Sequence, residues 1–262
     1  MRLTIAGLQH PGHPGDVPAN LAVVADAARD AKARGADLLV TPEMFVTGYN
    51  IGSRVAELAA EPLVEQVATL AAEAGIAIVA GLPERLPDGG VANTALLVDE
   101  TGAELARYRK THLFSELDRA LFVAGTGLGA VVDYRGVRLA LLICYDVEFP
   151  EPVRAAALQG AHVVVVPTAQ MEPFAFVAET LIPVRAWENQ VYVAYVNRSG
   201  AEGDLRYVGR SSVAAPSGQV LDALAPSEDV GLVLATVDTE LVDQGRRLNP
   251  YLDDLRPDLY RS

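Results

Sequence analysis

The chain has a single cysteine, Cys144, so no disulfide can form within it and a disulfide-stapled secreted scaffold is excluded. Basic residues are in deficit. The 21 Lys and Arg against 34 Asp and Glu leave a net charge of −13, which argues against nucleic acid or an anionic membrane as the main partner. No apolar run approaches the ~20 residues needed to span a bilayer. The opening apolar stretch, residues 3–8, is too short and too soon interrupted for a signal peptide. The four histidines lack metal-ligand spacing, and one cysteine cannot found a structural zinc site, so neither metal nor cofactor is expected. There is no low-complexity stretch or linker. What remains is 262 residues, 50% hydrophobic and 21% charged, the composition of one large globular domain over residues 1–262, soluble and cytoplasmic.

Short β-rich apolar runs alternate with alanine-rich helical stretches, a pattern of layered strands and helices in an α/β protein. Strands are expected at residues 3–8, 38–41, 76–80, 137–143, 163–166, 191–196, 211–214 and 232–237. Helices are expected at 18–34, with Gly35 as its stop, at 62–74 and at about 151–159. Residues 86–90 read as a hairpin loop. Two segments, 35–43 and 160–168, share a helix stop, a fully apolar strand and then a proline. Units of this kind commonly look alike, so the likeness is not taken to mean that their ends share a site.

Three segments carry candidate chemistry. Cys144 ends the run from Val137 to Ile143, so a strand delivers its thiol to a turn before a helix, where backbone N–H groups favour a thiolate and a developing oxyanion. A lone cysteine is more often a buried structural one. Thr41-Pro42-Glu43-Met44-Phe45 puts a carboxylate directly after an apolar strand, a costly place for a charge without a task. Tyr108-Arg109-Lys110-Thr111-His112 sets a lysine between aromatic and apolar neighbours. Gly125-Thr126-Gly127-Leu128-Gly129 fits a relaxed dinucleotide pattern, but no strand clearly precedes it and residues 131–134 read as a strand where a helix is needed. His112 is the one histidine placed to partner a cysteine.

Taken together, these segments resemble the nitrilase, or carbon–nitrogen hydrolase, superfamily, whose glutamate–lysine–cysteine triad lies on three separated motifs in this order. The resemblance runs essentially end to end and includes Gly48 and Tyr49, Arg185-Ala186-Trp187-Glu188-Asn189, Gly209-Arg210-Ser211-Ser212 and Pro216-Ser217-Gly218. It implies a four-layer α-β-β-α sandwich that pairs through its helices into a homodimer or larger homo-oligomer. It assigns Cys144 as nucleophile, Glu43 as general base and Lys110 as the electrostatic partner of the tetrahedral intermediate, with the Tyr145 backbone N–H helping to hold the oxyanion. Members often carry a second acidic residue after the lysine; Glu116 and Asp118 are both eligible, and the longer Glu116 is favoured although Asp118 lies nearer the usual offset.

The triad alone does not choose among amides, nitriles and acyl transfer to an amine, nor does it exclude a silent binding protein that keeps the fold. Cys144-Tyr145-Asp146 looks like the amidase branches. Residues 42–52, 144–151 and 250–256 are similar to the bacterial 5-aminopentanamidases. Ser115 and Ala124 depart from that pattern, where relatives tend to have glycine and proline. The implied small-molecule substrate is a short aliphatic primary amide with a distal ammonium or guanidinium. Glu116, Asp118, Glu148 and Glu172 are the carboxylates available to read its far end, and Tyr49, Met171, Phe174 and Trp187 are candidate pocket residues.

Overall fold

Period-two patterning with apolar residues on both faces makes β1 (Arg2–Gln9) a strand between two layers: Leu3 and Ile5 face one core, Ala6 and Leu8 the other. The computed structural model describes residues 1–226 and 228–259. In its first half β1 is followed by α1 (Val17–Ala33), β2 (Leu38–Val40), α2 (Arg54–Leu58), α3 (Leu63–Ala74), β3 (Ala77–Arg85), β4 (Val91–Val98), β5 (Glu104–Arg109) and α4 (Ser115–Arg119). Then come β6 (Val132–Tyr134), β7 (Val137–Leu141), α5 (Pro150–Leu158), β8 (Val163–Thr168), α6 (Ile182–Asn189) and β9 (Tyr192–Asn197). The chain ends with β10 (Ala201–Glu202), β11 (Leu205–Arg206), β12 (Ser212–Ala214), β13 (Val220–Ala223), β14 (Gly231–Asp238) and α7 (Thr239–Leu248).

The strands form two mixed six-stranded sheets in the orders β14-β1-β2-β3-β4-β5 and β13-β12-β9-β8-β7-β6, with β10 and β11 a separate ribbon. β1, β2 and β3 run parallel in one sheet and β7, β8 and β9 in the other, with antiparallel strands at the flanks. Leu3, Ile5, Leu38 and Val40 of the first sheet meet Leu139, Val163 and Val165 of the second in one shared core. Helices α1 and α3 cover the outer face of the first sheet through Val24, Ala28, Leu63 and Val67. Helices α5 and α6 bring Val153, Ala156, Ile182 and Ala186 into the core of the second sheet. The four-layer sandwich follows. Val163, Val164, Val165 and Val166 are all fully buried, and each such side chain contributes about 1.5–3 kcal/mol relative to exposure.

Local signals set the element ends. Asp16 caps α1 by accepting from the Ala19 N–H at 3.0 Å, and Gly35 leaves the helix at a φ of 82°. Leu86 and Gly90 close the expected hairpin loop between β3 and β4. Residues 91–98 and 104–109, given no element by the sequence pattern, are β4 and β5, and residues 239–248 are α7. The likeness between segments 35–43 and 160–168 proves to have a spatial meaning, contrary to the sequence reading. β2 and β8 are interior strands of the two sheets, and the Glu43 N–H past the end of β2 donates to the Thr168 carbonyl of β8 at 3.3 Å. No described helix is long and apolar enough to cross a membrane.

Candidate active site

The site is built where the ends of β2, β5, β7 and β8 converge. Beyond β2, Thr41-Pro42 leads to Glu43 and the next residue, Met44, turns at a φ of 51°. β3 must pass very close to this turn. A Cβ at Gly81 would stand 2.3 Å from the Pro42 carbonyl and 2.8 Å from the Glu43 Cα, so only glycine fits. Lys110 follows β5 directly, its N–H donating to the Asn93 carbonyl at 2.9 Å and its carbonyl accepting from Gly125 at 2.8 Å. The glycine-rich loop therefore secures the lysine's backbone. It follows a helix and leads into β6, so the dinucleotide pattern has no structural counterpart here.

Cys144 sits three residues past β7 at a φ of 45°, a left-handed conformation that costs a non-glycine residue about 1–3 kcal/mol and is concentrated at functional sites. It opens a 3-10 turn, Cys144–Glu148. Asp146 in that turn is fully buried and holds two motifs together. Its Oδ2 accepts from the Ile143 N–H at 3.1 Å and the Tyr108 hydroxyl at 2.9 Å; its Oδ1 accepts from the Thr111 hydroxyl and His112 N–H, each at 2.9 Å. Arg185 of α6 donates to the Val147 carbonyl at 2.9 Å, giving the arginine of that motif a positioning task. Ser211 and Asn197 tie the Gly209–Ser212 segment to β9, and the Ser211 N–H donates to Gln9 of β1 at 2.9 Å.

Glu43, Lys110 and Asp118 form one completely buried cluster. The Lys110 Nζ donates to Glu43 Oε1 at 2.7 Å and to Asp118 Oδ2 at 2.6 Å. Asn93 Nδ2 also donates to Glu43 Oε1, at 2.7 Å. Tyr49 donates its hydroxyl to Asp118 Oδ1 at 2.6 Å, and the Phe114 N–H reaches Asp118 Oδ2 at 2.8 Å. Glu43 Oε2 is buried and has no hydrogen-bond partner. The Cys144 Sγ lies 3.8 Å from Gln170 Oε1.

This corrects the choice of second acidic residue. Asp118, not Glu116, is the carboxylate on Lys110; Glu116 points outward with its side chain 90% exposed. On a helix two residues apart are about 200° apart, so α4 can turn only one of them inward. The other carboxylates weighed for a distal cation are accounted for: Glu172 is exposed and Glu148 is half-buried beside Gln170. Met171 is buried with Met44 and Tyr49. Phe174 stands at the rim, edge-on to Phe114, which in turn meets Tyr145 edge-on at 5.3 Å between centroids. Trp187 is not a wall of this site. It lies on the outside of α6 against Tyr251. His112 stacks on Phe149 and places Nδ1 2.8 Å from Asp146, so its imidazole serves the Asp146 knot. Sequence reasoning missed Asn93, Asp146 and Gln170.

The electrostatics follow from burial. Burial pushes the Glu43 carboxyl up and the Asp118 charge adds to this, against the opposing pull of Lys110 and Asn93. Burial alone would lower Lys110, but the negative groups around it, Glu43 first, raise it, so it is an ammonium. The Cys144 thiol is pushed well above its ordinary value by burial and by the Glu43 charge, which outweigh Lys110 and the Ala169 N–H. At rest the sulfur is therefore a thiol that loses its proton to a base as it reacts, which fits the expected assignment of Glu43 as general base. Burial likewise holds the Tyr49 hydroxyl protonated as a donor. Among the described residues no group of three His, Cys, Asp or Glu side chains is arranged to hold a metal ion. What the cluster can do is general-base-assisted addition of a thiol to a carbonyl next to a fixed cation.

Comparison with known proteins agrees with this chemistry. Residues 3–247 match the carbon–nitrogen hydrolase family. A Pseudomonas protegens protein described as a hydrolase in the pqqF 5′ region is 47% identical, over 98% of this chain and 90% of its own. An (R)-stereoselective amidase of a Pseudomonas species is 37% identical, over 95% of this chain and 90% of its own. Among solved structures, a glutamate-to-glutamine mutant of an amidase of Nesterenkonia sp. AN1 superposes with a TM-score of 0.86 at 38% identity, covering 99% of this chain and 98% of its own, and carries the product of Michael addition of acrylamide at its active-site cysteine. A cysteine-to-alanine mutant of that amidase, at the same identity and TM-score, is in complex with butyramide and is covered over 96% of its length.

Proposed function

The chain belongs to the carbon–nitrogen hydrolase family, and on that premise we propose that it hydrolyses short aliphatic primary amides to the carboxylic acid and ammonia through a thioester on Cys144. What carries the reading is the unpartnered Oε2 of Glu43, a buried acceptor on a carboxylate whose other oxygen is fixed by Lys110 and Asn93. A buried polar atom without a partner is costly unless the reaction supplies one. Glu43 Oε2 takes the thiol proton as Sγ bonds to the amide carbon, while the Lys110 ammonium and the Tyr145 backbone N–H hold the oxyanion. The same proton passes to the leaving nitrogen, the C–N bond breaks and ammonia departs. Water then adds to the thioester as Glu43 takes its proton; the C–S bond breaks and that proton returns to sulfur.

We extend the proposal to ω-amino or guanidino amides such as 5-aminopentanamide and 4-guanidinobutanamide. Its support is the half-buried aromatic rim of Phe114, Tyr145 and Phe149, whose ring faces attract cations. A cytoplasmic setting keeps the single thiol reduced. Self-association belongs to the same proposal, supported by the exposed apolar side chains Val184, Trp187, Leu241 and Leu248 on α6 and α7. The test is ammonia release from butyramide, 5-aminopentanamide, 4-guanidinobutanamide and pentanenitrile, with a Cys144→Ala protein alongside. Amide turnover that vanishes in the variant is the expected result, and a higher kcat/KM for the two cationic amides supports the finer reading. Turnover of the nitrile alone, or of nothing, refutes the proposal.

A further inference from the structure

Gln170 lies two residues past β8 and is 4% exposed. Its backbone is fixed on both sides: its N–H donates to Asn197 Oδ1 at 2.7 Å, and its carbonyl accepts from the Val208 N–H at 3.0 Å. The side chain stands between two titratable groups. Its Oε1 faces the Cys144 Sγ at 3.8 Å, and its amide stands beside the half-buried Glu148 carboxyl. A primary amide has one accepting and one donating end. With the –NH2 end turned to the carboxylate, the carbonyl end is held on the thiol, where it serves as the acceptor for S–H.

The proton path above makes no use of that carbonyl, yet the path changes its surroundings. When the thiol proton moves to Glu43, Gln170 Oε1 becomes a buried acceptor without a donor. The amide nitrogen is attached to the carbon that Sγ attacks, two bonds from the sulfur, and it carries the N–H groups that can replace S–H. We propose that Gln170 is a specificity-determining residue that accepts an N–H from the scissile carboxamide, so that the site selects amides over esters of the same acyl chain. The inference rests on the amidase reading. An ester offers lone pairs where an amide offers N–H, and it leaves the buried carbonyl unpaired in the transition state.

The experiment compares butyramide with methyl butyrate in the full-length protein and in Gln170→Met, which keeps the length and removes the acceptor. The expected result is a fall of about 10- to 100-fold in kcat/KM for the amide, carried mainly by kcat, with the ester within about threefold of wild type. Thermal melting checks that the variant folds. Gln170→Asn, which keeps the carbonyl but withdraws it by one methylene, is expected to give an intermediate amide-to-ester ratio and replaces Gln170→Met should that variant not fold. Equal losses on both substrates, as a merely structural role would give, or no loss on either, overturn the inference while leaving the amidase reading intact. A wild-type protein that turns over the ester but no amide defeats the amidase reading and this inference with it.

Discussion

Replacing Asp118 by Asn tests which acidic residue serves the lysine. Asp118 accepts from Lys110 Nζ at 2.6 Å and from the Tyr49 hydroxyl at 2.6 Å, both of them buried. Removing one member of a buried ion pair costs about 3–5 kcal/mol when it strands the other charge. Here Lys110 keeps Glu43 at 2.7 Å, so the smaller figure for a hydrogen bond to a charged group applies, about 1.5–3 kcal/mol. Converted at about 1.4 kcal/mol per decade, this predicts a fall in kcat/KM of about 10- to 150-fold. The assay is ammonia release from butyramide at fixed pH, with circular dichroism and thermal melting to confirm folding. Glu116→Gln is the control: its exposed pair with Arg119 at 3.5 Å is worth little, and activity is expected within about twofold of wild type. Full activity in Asp118→Asn, or an equal loss in Glu116→Gln, would refute the reasoning.

Three further outcomes follow from the same geometry. Ser115 sits at a φ of 48°, so Ser115→Gly is expected to relieve left-handed strain and raise stability by about 0.5–1 kcal/mol, read as a higher melting temperature; a lower one contradicts this. Burial raises Glu43 above the ordinary carboxylate value of 4.5, and only its ionised form is a base, so the acid limb of kcat/KM should lie above that value and activity should fall as pH drops through it. A limb at or below 4.5 would count against Glu43 as the base. Although burial opposes ionisation of Glu84, Arg109 and Arg107 hold its carboxyl down at about 2. Its stabilising contribution is therefore present above 4.5 and is lost as pH falls from there towards 2. Since those arginines are 45% and 27% exposed, the contribution is discounted to about 1–2 kcal/mol, and Glu84→Gln should flatten the acid unfolding profile over that window.

The strands were legible because they depend on short-range pattern, whereas the four-layer sandwich and the roles of Glu43, Lys110 and Cys144 were expected only from the family resemblance of their motifs. The fully apolar runs of β2 and β8 announce strands buried on both faces, and Glu43, Lys110 and Cys144 each follow the end of a strand. Asp118 was legible too, had helical phase been preferred to side-chain length: Asp118 and Phe122, four residues apart, are both buried, while Glu116 and Arg119 face out. The resting state of Cys144 was not legible in its turn alone. A turn before a helix suggests a thiolate, but the balance is decided by burial and by the Glu43 charge, which arrives from a distant segment. Asn93 and Asp146 escaped for the same reason. Their partners, Glu43 in one case and Tyr108 and Thr111 in the other, are brought to them only by the folded sheets.

The central claim is that Cys144 carries the acyl group. Intact mass analysis of protein quenched within a single turnover of butyramide tests it most directly. The account predicts one butyryl group per chain, mapped to Cys144, appearing with the first equivalent of ammonia and absent from Cys144→Ala. Ammonia released without any acylated protein, or undiminished in Cys144→Ala, would contradict it.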